Sequence, residues 1–188
     1  MDQELSREHI QNCKEDIGKD EVTLDFISVY DEYYTKVYRY VSYRIDNKSD
    51  IEDLTSQVFL KIYSKINNYN FKKGTLPQWI FTIAGNTIRD YYRKNSIRKF
   101  LSFDSLGSEI EDSFSIEENA QQTEEYNHLK KIVKGLSKKE RTLISLKYGA
   151  DLSYDDIAKI MNITSNNVGV MLHRTLNKIK ENMEGYYE

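Results

Sequence analysis

Polar and basic side chains of the kind that bind nucleic acid recur along residues 152–180, LSYDDIAKIMNITSNNVGVMLHRTLNKIK. Ser153 with an aspartate three residues later indicates the start of a first helix. Asn162 interrupts that helix, and Thr164 or Ser165 is predicted to cap a second one. The outer face of the second helix carries polar, basic and small residues: Asn166, Asn167, Gly169, Val170, His173, Arg174 and Lys178.

The two helices together predict a helix-turn-helix. The second has an apolar stripe with helical spacing, predicted to face inward: Val168, Leu172, Leu176 and Ile179. In a helix-turn-helix the second helix enters the DNA major groove, with its N-terminal residues nearest the base edges. The pattern therefore favours DNA binding. Two short amphipathic helices also occur in any small helical bundle, so a purely structural role stays open at this point.

A second group of candidate residues combines aromatic rings with cations. The loop NNYNFKKG precedes a predicted helix, QWIFTIAGNTIRDYYRKN, which Thr75 is placed to cap. Rings stack on unpaired bases while cations hold the backbone, so this mixture predicts contact with single-stranded DNA. The alternative is that the tyrosines lie in the core and the cations complement the helix dipole. The rings are Tyr69, Phe71, Trp79, Tyr91 and Tyr92, and the cations are Arg89, Arg93, Lys94, Arg98 and Lys99.

Two further helices are predicted before this group. The first, from residue 26 to 44, has apolar residues that recur at helical spacing: Phe26, Tyr30, Tyr33, Val37, Tyr40 and Val41. The second, from residue 50 to 66, is predicted to be capped by Ser49 or Asp50. Its outer face carries Leu60 among polar residues, which suits a protein-contact surface.

Composition favours an all-α protein. Among 188 residues there are 8 glycines and 1 proline, and 30% are charged. No apolar run is as long as a bilayer-spanning helix and the N-terminus lacks a secretory pattern, so we expect a cytoplasmic protein without membrane insertion. Cys13 is the single cysteine and the 3 histidines are scattered, so neither a disulfide nor a metal site is expected. We also expect no cofactor and no small-molecule substrate.

Charge divides the chain into four segments. A net charge of −4 over residues 1–24 indicates a mobile acidic arm, and −6 over residues 96–125 indicates a flexible acidic linker. The intervening residues 25–95 carry +3 and residues 126–188 carry +4, which makes up the overall −3. The two mildly basic segments are predicted to be helical domains, the second a four-helix unit. DNA attraction follows local charge, so the negative total does not exclude a DNA-binding protein.

Motifs in both basic segments resemble those of bacterial RNA polymerase sigma factors of the extracytoplasmic-function (ECF) type. DIEDLTSQVFLKIY and LPQWIFTIAGNTIRDYYRKN are similar to the family's N-terminal motifs, and residues 152–180 are similar to its C-terminal one. Departures from the family pattern are Ser56-Gln57, Gly85 and Gly169-Val170-Met171, the last removing cations from the second helix. The resemblance implies a non-enzymatic factor that binds core RNA polymerase and directs initiation at promoter DNA.

The resemblance also implies roles for individual residues. A core polymerase-binding surface would comprise Asp50, Glu52, Asp53, Gln57 and Leu60. A reader of the −10 element, where DNA melts, would comprise Tyr69, Phe71, Trp79, Asn86, Arg89, Asp90, Arg93 and Lys94. A reader of the −35 element would comprise Ser165, Asn166, Asn167, Val170, His173, Arg174 and Lys178. The implied partners are the polymerase clamp and flap regions and promoter DNA, with an anti-sigma factor as a further candidate.

Two other functions compete with this interpretation. A stand-alone helix-turn-helix regulator would bind duplex DNA without polymerase, but it leaves the N-terminal aromatic segment unexplained. A helical adaptor or anti-sigma-type protein would bind proteins alone and would tolerate changes at Arg174 and Lys178. An enzyme is disfavoured, because the sequence has no phosphate-binding loop and no nucleophile motif.

Overall fold

The structure, a computed structural model, describes residues 24–103, with 97–103 as backbone alone, and residues 124–185. This part of the chain contains helices and no strands, which confirms the predicted all-α fold. None of the described helices has both the length and the apolar character needed to cross a bilayer. The predicted acidic arm with Cys13, and residues 104–123 of the predicted linker, lie outside the described residues.

The described residues form seven α-helices, and short 3₁₀ or π-helical turns lie between some of them. Two 3₁₀ turns, Ile66–Asn68 and Phe71–Lys73, lie between the second and third helices, and a π-helical turn, Ser145–Gly149, follows the fifth. The helices are α1 (Phe26–Ser42), α2 (Lys48–Lys65), α3 (Leu76–Phe103), α4 (Glu124–Gly135), α5 (Lys138–Ile144), α6 (Tyr154–Met161) and α7 (Ser165–Glu184).

Local capping explains where most of these helices begin. Ser137 caps α5 in a reciprocal box with Glu140, and Ser153 caps α6 by accepting from the Asp156 amide at 3.1 Å. Asn162 adopts the left-handed conformation, with φ 55°, and ends α6. Thr164 caps α7 by accepting from the Asn167 amide. The predicted helix-turn-helix is confirmed.

Two boundaries differ from the prediction. Asn47, rather than Ser49 or Asp50, caps α2, because its side chain accepts from the Asp50 amide at 3.1 Å. Asparagine is as strong a cap as serine or aspartate. Helix α3 continues to residue 103, past the predicted linker start at 96, since no glycine or proline stops it there.

The N-terminal half packs α1, α2 and α3 around an aliphatic core. Its fully buried residues include Val37, Val58, Ile62, Ile80 and Ile88. Ring contacts of Phe26 with Tyr63 and of Tyr30 with Phe59 show that α1 and α2 run in opposite directions. Tyr30 belongs to the apolar pattern of α1, but its ring is partly exposed at the α1–α2 seam.

The C-terminal half packs α4, α5 and α6 against α7, which confirms a four-helix unit. Val168 and Leu172 of α7 are buried as predicted. Leu176 was predicted to face inward but is partly exposed, and the neighbouring Thr175 is buried in its place. Thr175 satisfies its hydroxyl by donating to the Met171 carbonyl at 2.8 Å, which makes the buried polar side chain acceptable.

The two halves form one continuous hydrophobic core. Helix α1 contacts the π-helical turn, and α3 contacts α6. At the first contact, a Cβ atom on Gly149 would lie 3.2 Å from the backbone of Arg39 and Tyr40. Such a contact is tighter than most Cβ contacts in proteins, so any residue other than glycine would have to shift the two backbones by a few tenths of an ångström.

Three polar contacts surround this junction. Arg44 donates to the Thr142 hydroxyl at 2.9 Å, and Lys134 pairs with Asp46 at 2.9 Å. The Thr75 hydroxyl donates to the Asp156 carboxylate at 3.0 Å, which links the start of α3 to the first turn of α6. The helix-turn-helix is therefore held against the N-terminal half in this arrangement.

We expect Gly149→Ala to lower the free energy of unfolding by about 1–3 kcal/mol, because the added methyl group forces the two backbones apart. Chemical denaturation of the whole chain measures the change. Gly135→Ala is the matched control: a Cβ there meets no atom within 4 Å. Equal stability of the two variants would contradict the close approach.

Candidate functional site

The outer face of α2 presents one exposed leucine among acidic and polar groups. Asp53, Gln57 and Leu60 are spaced by four and three residues and share this face. Leu60 is 68% exposed, as the sequence predicts, and Glu52, which precedes Asp53, is also exposed. An apolar side chain ringed by charges is the usual composition of a protein-contact surface.

Asp50 differs from the other candidates on α2. It is half-buried and accepts a hydrogen bond of 2.6 Å from the Tyr91 hydroxyl of α3. Its carboxylate therefore fixes α3 against the start of α2. Burial, and then this hydrogen bond, raise the pKa of Tyr91 to about 12. For Tyr91, where the sequence left both base stacking and a core position open, the structure shows a half-buried ring at this junction.

An aromatic edge beside α2 was not predicted from the sequence. Tyr30, Tyr34 and Tyr63 are exposed along the α1–α2 seam, with Phe59 buried beneath them. The Phe59 ring lies 4.8 Å from Tyr30 and 5.8 Å from Tyr34, centroid to centroid. The rings supply apolar area next to Leu60, so the exposed surface is wider than the α2 face alone.

The loop before α3 gathers three of the predicted rings. Tyr69 lies 4.6 Å from Phe71 and 5.2 Å from Trp79, centroid to centroid. The Tyr69 hydroxyl donates to the Gly74 carbonyl at 3.0 Å and closes the loop. Phe71 is 55% exposed, whereas Trp79 is half-buried. Tyr69, Phe71 and Trp79 thus form an aromatic platform in which the Phe71 ring is exposed to solvent.

The exposed face of α3 continues from this platform with polar and basic groups. Arg89 donates to the Asn86 side chain at 2.6 Å, and Arg93 pairs with Asp90 at 3.2 Å. Lys61 of α2 lies 4.0 Å from the same Asp90 carboxylate. Asp90 thus contacts two cations, Arg93 and Lys61. Lys94, the residue after Arg93, is exposed. Asn86, Asp90 and Arg93 are spaced by four and three residues, so these predicted −10 residues share one face of α3.

The exposed face of α7 forms the third surface. Asn166, Asn167, His173 and Arg174 are exposed, and Val170 is 41% exposed. These side chains lie on the first half of the helix, where a helix-turn-helix meets base edges.

Two predicted α7 residues are occupied by contacts within the protein. Ser165 donates to the Asp155 carboxylate of α6, and Lys178 pairs with Glu140 of α5 at 3.4 Å. Hydrogen bonds from Ser137, and then Lys178, lower the pKa of the Glu140 carboxyl. Lys178 is therefore set apart from the exposed −35 candidates.

A shallow pocket of about 420 Å³ lies on this face of α7. Tyr154, from the first turn of α6, forms one wall and was not among the predicted site residues. The signal that could have identified it is a large aromatic residue directly after the capping Ser153, opposite a glycine in the next helix. The lining residues are Tyr154, Ser165, Asn166, Gly169, Val170, His173 and Arg174.

The sequence matches two protein families in the expected order. Residues 29–97 match sigma-70 region 2, and residues 127–179 match sigma-70 region 4. Together the two matches cover more than half of the chain. The chain belongs to the sigma-70 family. Region 2 contains the α2 face, the aromatic platform and α3, and region 4 contains the helix-turn-helix.

Individual relatives are sigma factors of the ECF type. The chain is 29% identical to SigM of Bacillus subtilis over 159 residues, which covers 85% of this chain and 94% of SigM. It is 25% identical to BldN of Streptomyces coelicolor over 151 residues, 80% of this chain. That match spans only 57% of BldN, so the chain corresponds to little more than half of that relative's length.

A solved structure shares the fold of both regions. The sigma factor RpoE of Bartonella quintana, solved in complex with the anti-sigma factor NepR, superimposes with a TM-score of 0.67. The match has 22% sequence identity and covers 85% of this chain and 97% of RpoE.

We expect Tyr91→Phe to lower the stability of the protein at neutral pH by about 1.5 kcal/mol, because Asp50 loses its donor. The wild type should also lose stability as the pH rises from about 10 towards 12. Only the unfolded state then releases the Tyr91 proton, since the folded pKa is the higher one.

Denaturation at a series of pH values measures both effects, and the alkaline loss should be smaller in Tyr91→Phe. Tyr148→Phe, at an exposed tyrosine, is the control. A Tyr91→Phe protein with the wild-type alkaline profile would show that the Tyr91–Asp50 hydrogen bond does not persist in solution.

Proposed function

We propose that this chain is a sigma factor of the ECF type that binds core RNA polymerase and directs initiation at promoters with −10 and −35 elements. One observation carries the proposal: a single chain holds region 2 and region 4, each with its own exposed surface of suitable chemistry. The polymerase performs the chemistry of RNA synthesis, so the chain itself needs no catalytic residue. Its place of action is the cytoplasm, where polymerase and DNA are found.

The outer face of α2 is the proposed polymerase-binding surface. Leu60 supplies an apolar anchor, and Glu52, Asp53 and Gln57 supply a polar rim. Buried apolar anchors with a polar rim carry most of the energy in protein interfaces. Asp50 takes part indirectly, because its hydrogen bond to Tyr91 joins the polymerase-binding helix to the −10 reader.

The aromatic platform and α3 form the proposed −10 reader. The exposed Phe71 ring, supported by Tyr69 and Trp79, can stack on a base of the opened strand. Capturing a flipped base offsets a few kcal/mol of unstacking. Arg89, Arg93 and Lys94 lie further along α3 and attract the backbone phosphates.

The exposed face of α7 is the proposed −35 reader. Asn166, Asn167, His173 and Arg174 offer hydrogen bonds to base edges or phosphates, and Val170 offers an apolar contact. The proposal assigns a smaller role to Lys178, because Glu140 holds its ammonium group. Ser165 serves chiefly to join α7 to α6 through Asp155.

The two readers must separate before they act together. In this structure Thr75, at the start of α3, and Asp156 of α6 are 3.0 Å apart. The element names place the two DNA sites about 25 base pairs apart, roughly 85 Å at the rise of B-DNA. Region 2 docks on the polymerase clamp and region 4 docks on the flap, and these separate sites set the distance between the two readers. Both weak DNA contacts are then made by one complex, which binds the promoter more tightly than either contact alone would.

An anti-sigma protein is the proposed regulatory partner. The RpoE structure with the same fold holds one, NepR. The exposed aromatic edge of Tyr30, Tyr34 and Tyr63 beside Leu60 gives this chain apolar area that a competing protein can cover together with the polymerase surface.

Run-off transcription with purified core polymerase and fragments of the source genome tests the function. Discrete transcripts that appear only with this chain, and that share upstream sequence, are the expected result. The control is core polymerase shown to be active with another initiation factor. If no transcripts appear while the pure protein binds duplex DNA tightly, the stand-alone regulator is the better interpretation.

Leu60→Ala should weaken binding to core polymerase about tenfold, because truncating a central apolar anchor costs more than 1 kcal/mol. Direct binding of labelled protein to core polymerase measures the affinity. Ile27→Ala is the matched control, since Ile27 is 67% exposed on α1 and lies outside the proposed face. Unchanged affinity in Leu60→Ala would remove the α2 face from the interface.

A further inference from the structure

The pocket on α7 has an apolar centre between polar ends. Its floor is the backbone of Gly169, and its walls are the Tyr154 ring and Val170. A Cβ atom on Gly169 would lie 3.5 Å from Tyr154 Cε2, so the ring lies directly beside the bare backbone. We call these three residues the notch. Asn166 and Ser165 lie towards the N-terminal end of the pocket, and His173 and Arg174 lie towards the other end.

The Tyr154 wall is held in place from behind. The Lys147 ammonium group lies 5.6 Å from the centroid of the Tyr154 ring, within reach of a cation–π attraction. The same ammonium group donates to the Leu152 carbonyl at 3.2 Å, which fixes its own position. Tyr154 is 42% exposed, so the ring presents one side to the pocket while Lys147 supports it.

The chemistry of the notch selects among the groups on base edges. Neither Gly169 nor Val170 has a side-chain donor or acceptor, so the Tyr154 hydroxyl is the single side-chain polar group of the notch and the surface between the ring and the helix is apolar. A phosphate is a poor occupant, because an apolar floor and wall do not replace its hydration. In the major groove the apolar group on a base edge is the 5-methyl of thymine.

We propose that the notch formed by Tyr154, Gly169 and Val170 receives the 5-methyl group of one thymine in the −35 element. The inference rests on the proposed function, since it requires α7 to lie in the major groove of that element. Asn166, one turn before Val170, is placed to hydrogen-bond an adenine edge beside that methyl group. Gly169 and Val170, which belong to the stretch that departs from the family pattern by lacking cations, thus take part in a base-specific contact together with Tyr154.

Replacing thymine by deoxyuridine tests the proposal, because it removes the methyl group and leaves the hydrogen-bonding edge unchanged. The probe is a promoter duplex selected by the holoenzyme, core polymerase with this chain, from a library randomised in the −35 region. Each thymine of that region, on both strands, is replaced in turn. One position should lose about fourfold in holoenzyme affinity, the value of one buried methyl-sized group, while the others change little.

Two variants assign that methyl group to the notch. Gly169→Ala fills the notch, and its added methyl group fits at an ordinary contact distance, so the helix should fold normally. Tyr154→Ala removes the wall. Both should bind the thymine and deoxyuridine promoters equally well. Gly135→Ala, a glycine change in the same half of the protein with open space around it, should keep the fourfold preference.

The outcomes separate this inference from the function on which it rests. Loss of selective binding and transcription on every duplex would contradict the proposed function itself. Promoter-specific transcription without a deoxyuridine effect at any −35 position, or with an effect that persists in Gly169→Ala and Tyr154→Ala, would leave the function intact and overturn the notch.

Discussion

The close approach of Gly149 to the backbone of Arg39 and Tyr40 determines how the two halves of the protein are arranged. Once the π-helical turn lies against α1, α6 lies against α3 and the two aliphatic clusters become one core. A Cβ atom at this position would lie 3.2 Å from the Arg39 and Tyr40 backbone, so the two elements would have to move apart by a few tenths of an ångström. The polar contacts around the junction then fix its orientation, because Arg44 and Thr75 each reach a partner in the other half.

Packing, rather than charge, holds this arrangement. The Lys134–Asp46 pair is partly exposed, and such pairs contribute little to stability. The contact between the halves consists of packed apolar side chains, one close backbone approach and a few hydrogen bonds, and contacts with a larger partner can replace it. Under the proposed function, the same sequence forms a compact free protein and, on polymerase, two separated DNA readers. The Tyr91–Asp50 hydrogen bond lies inside region 2, so the −10 reader keeps its position on α2 when the halves part.

The features that could be predicted from the sequence are those that depend on residues close together along the chain. The caps at Ser137, Ser153 and Thr164 and the helix-turn-helix follow from side chains within three residues of one another, and all are present. Contacts between distant residues were not predictable. The partners Tyr91 and Asp50 are 41 positions apart and lie on different helices. The exposure of Tyr30 and Leu176, and the burial of Thr175, likewise depend on which neighbouring helix covers each face. The predicted surfaces for polymerase, −10 and −35 contacts stay predictions at the level of single residues.

The −35 surface shows how specificity can be kept when cations are few. Arg174 is the one lysine or arginine that lines the pocket on α7, and Lys178 is held by Glu140. Phosphate contacts supply affinity for any sequence, so a helix with few of them gains little from non-specific DNA. Discrimination between DNA sequences then rests on contacts with base edges, and the strength of these contacts does not fall as the salt concentration rises. An apolar notch beside asparagines provides contacts of that kind. The weak attraction that remains is sufficient because polymerase, bound through region 2, already holds the promoter next to region 4.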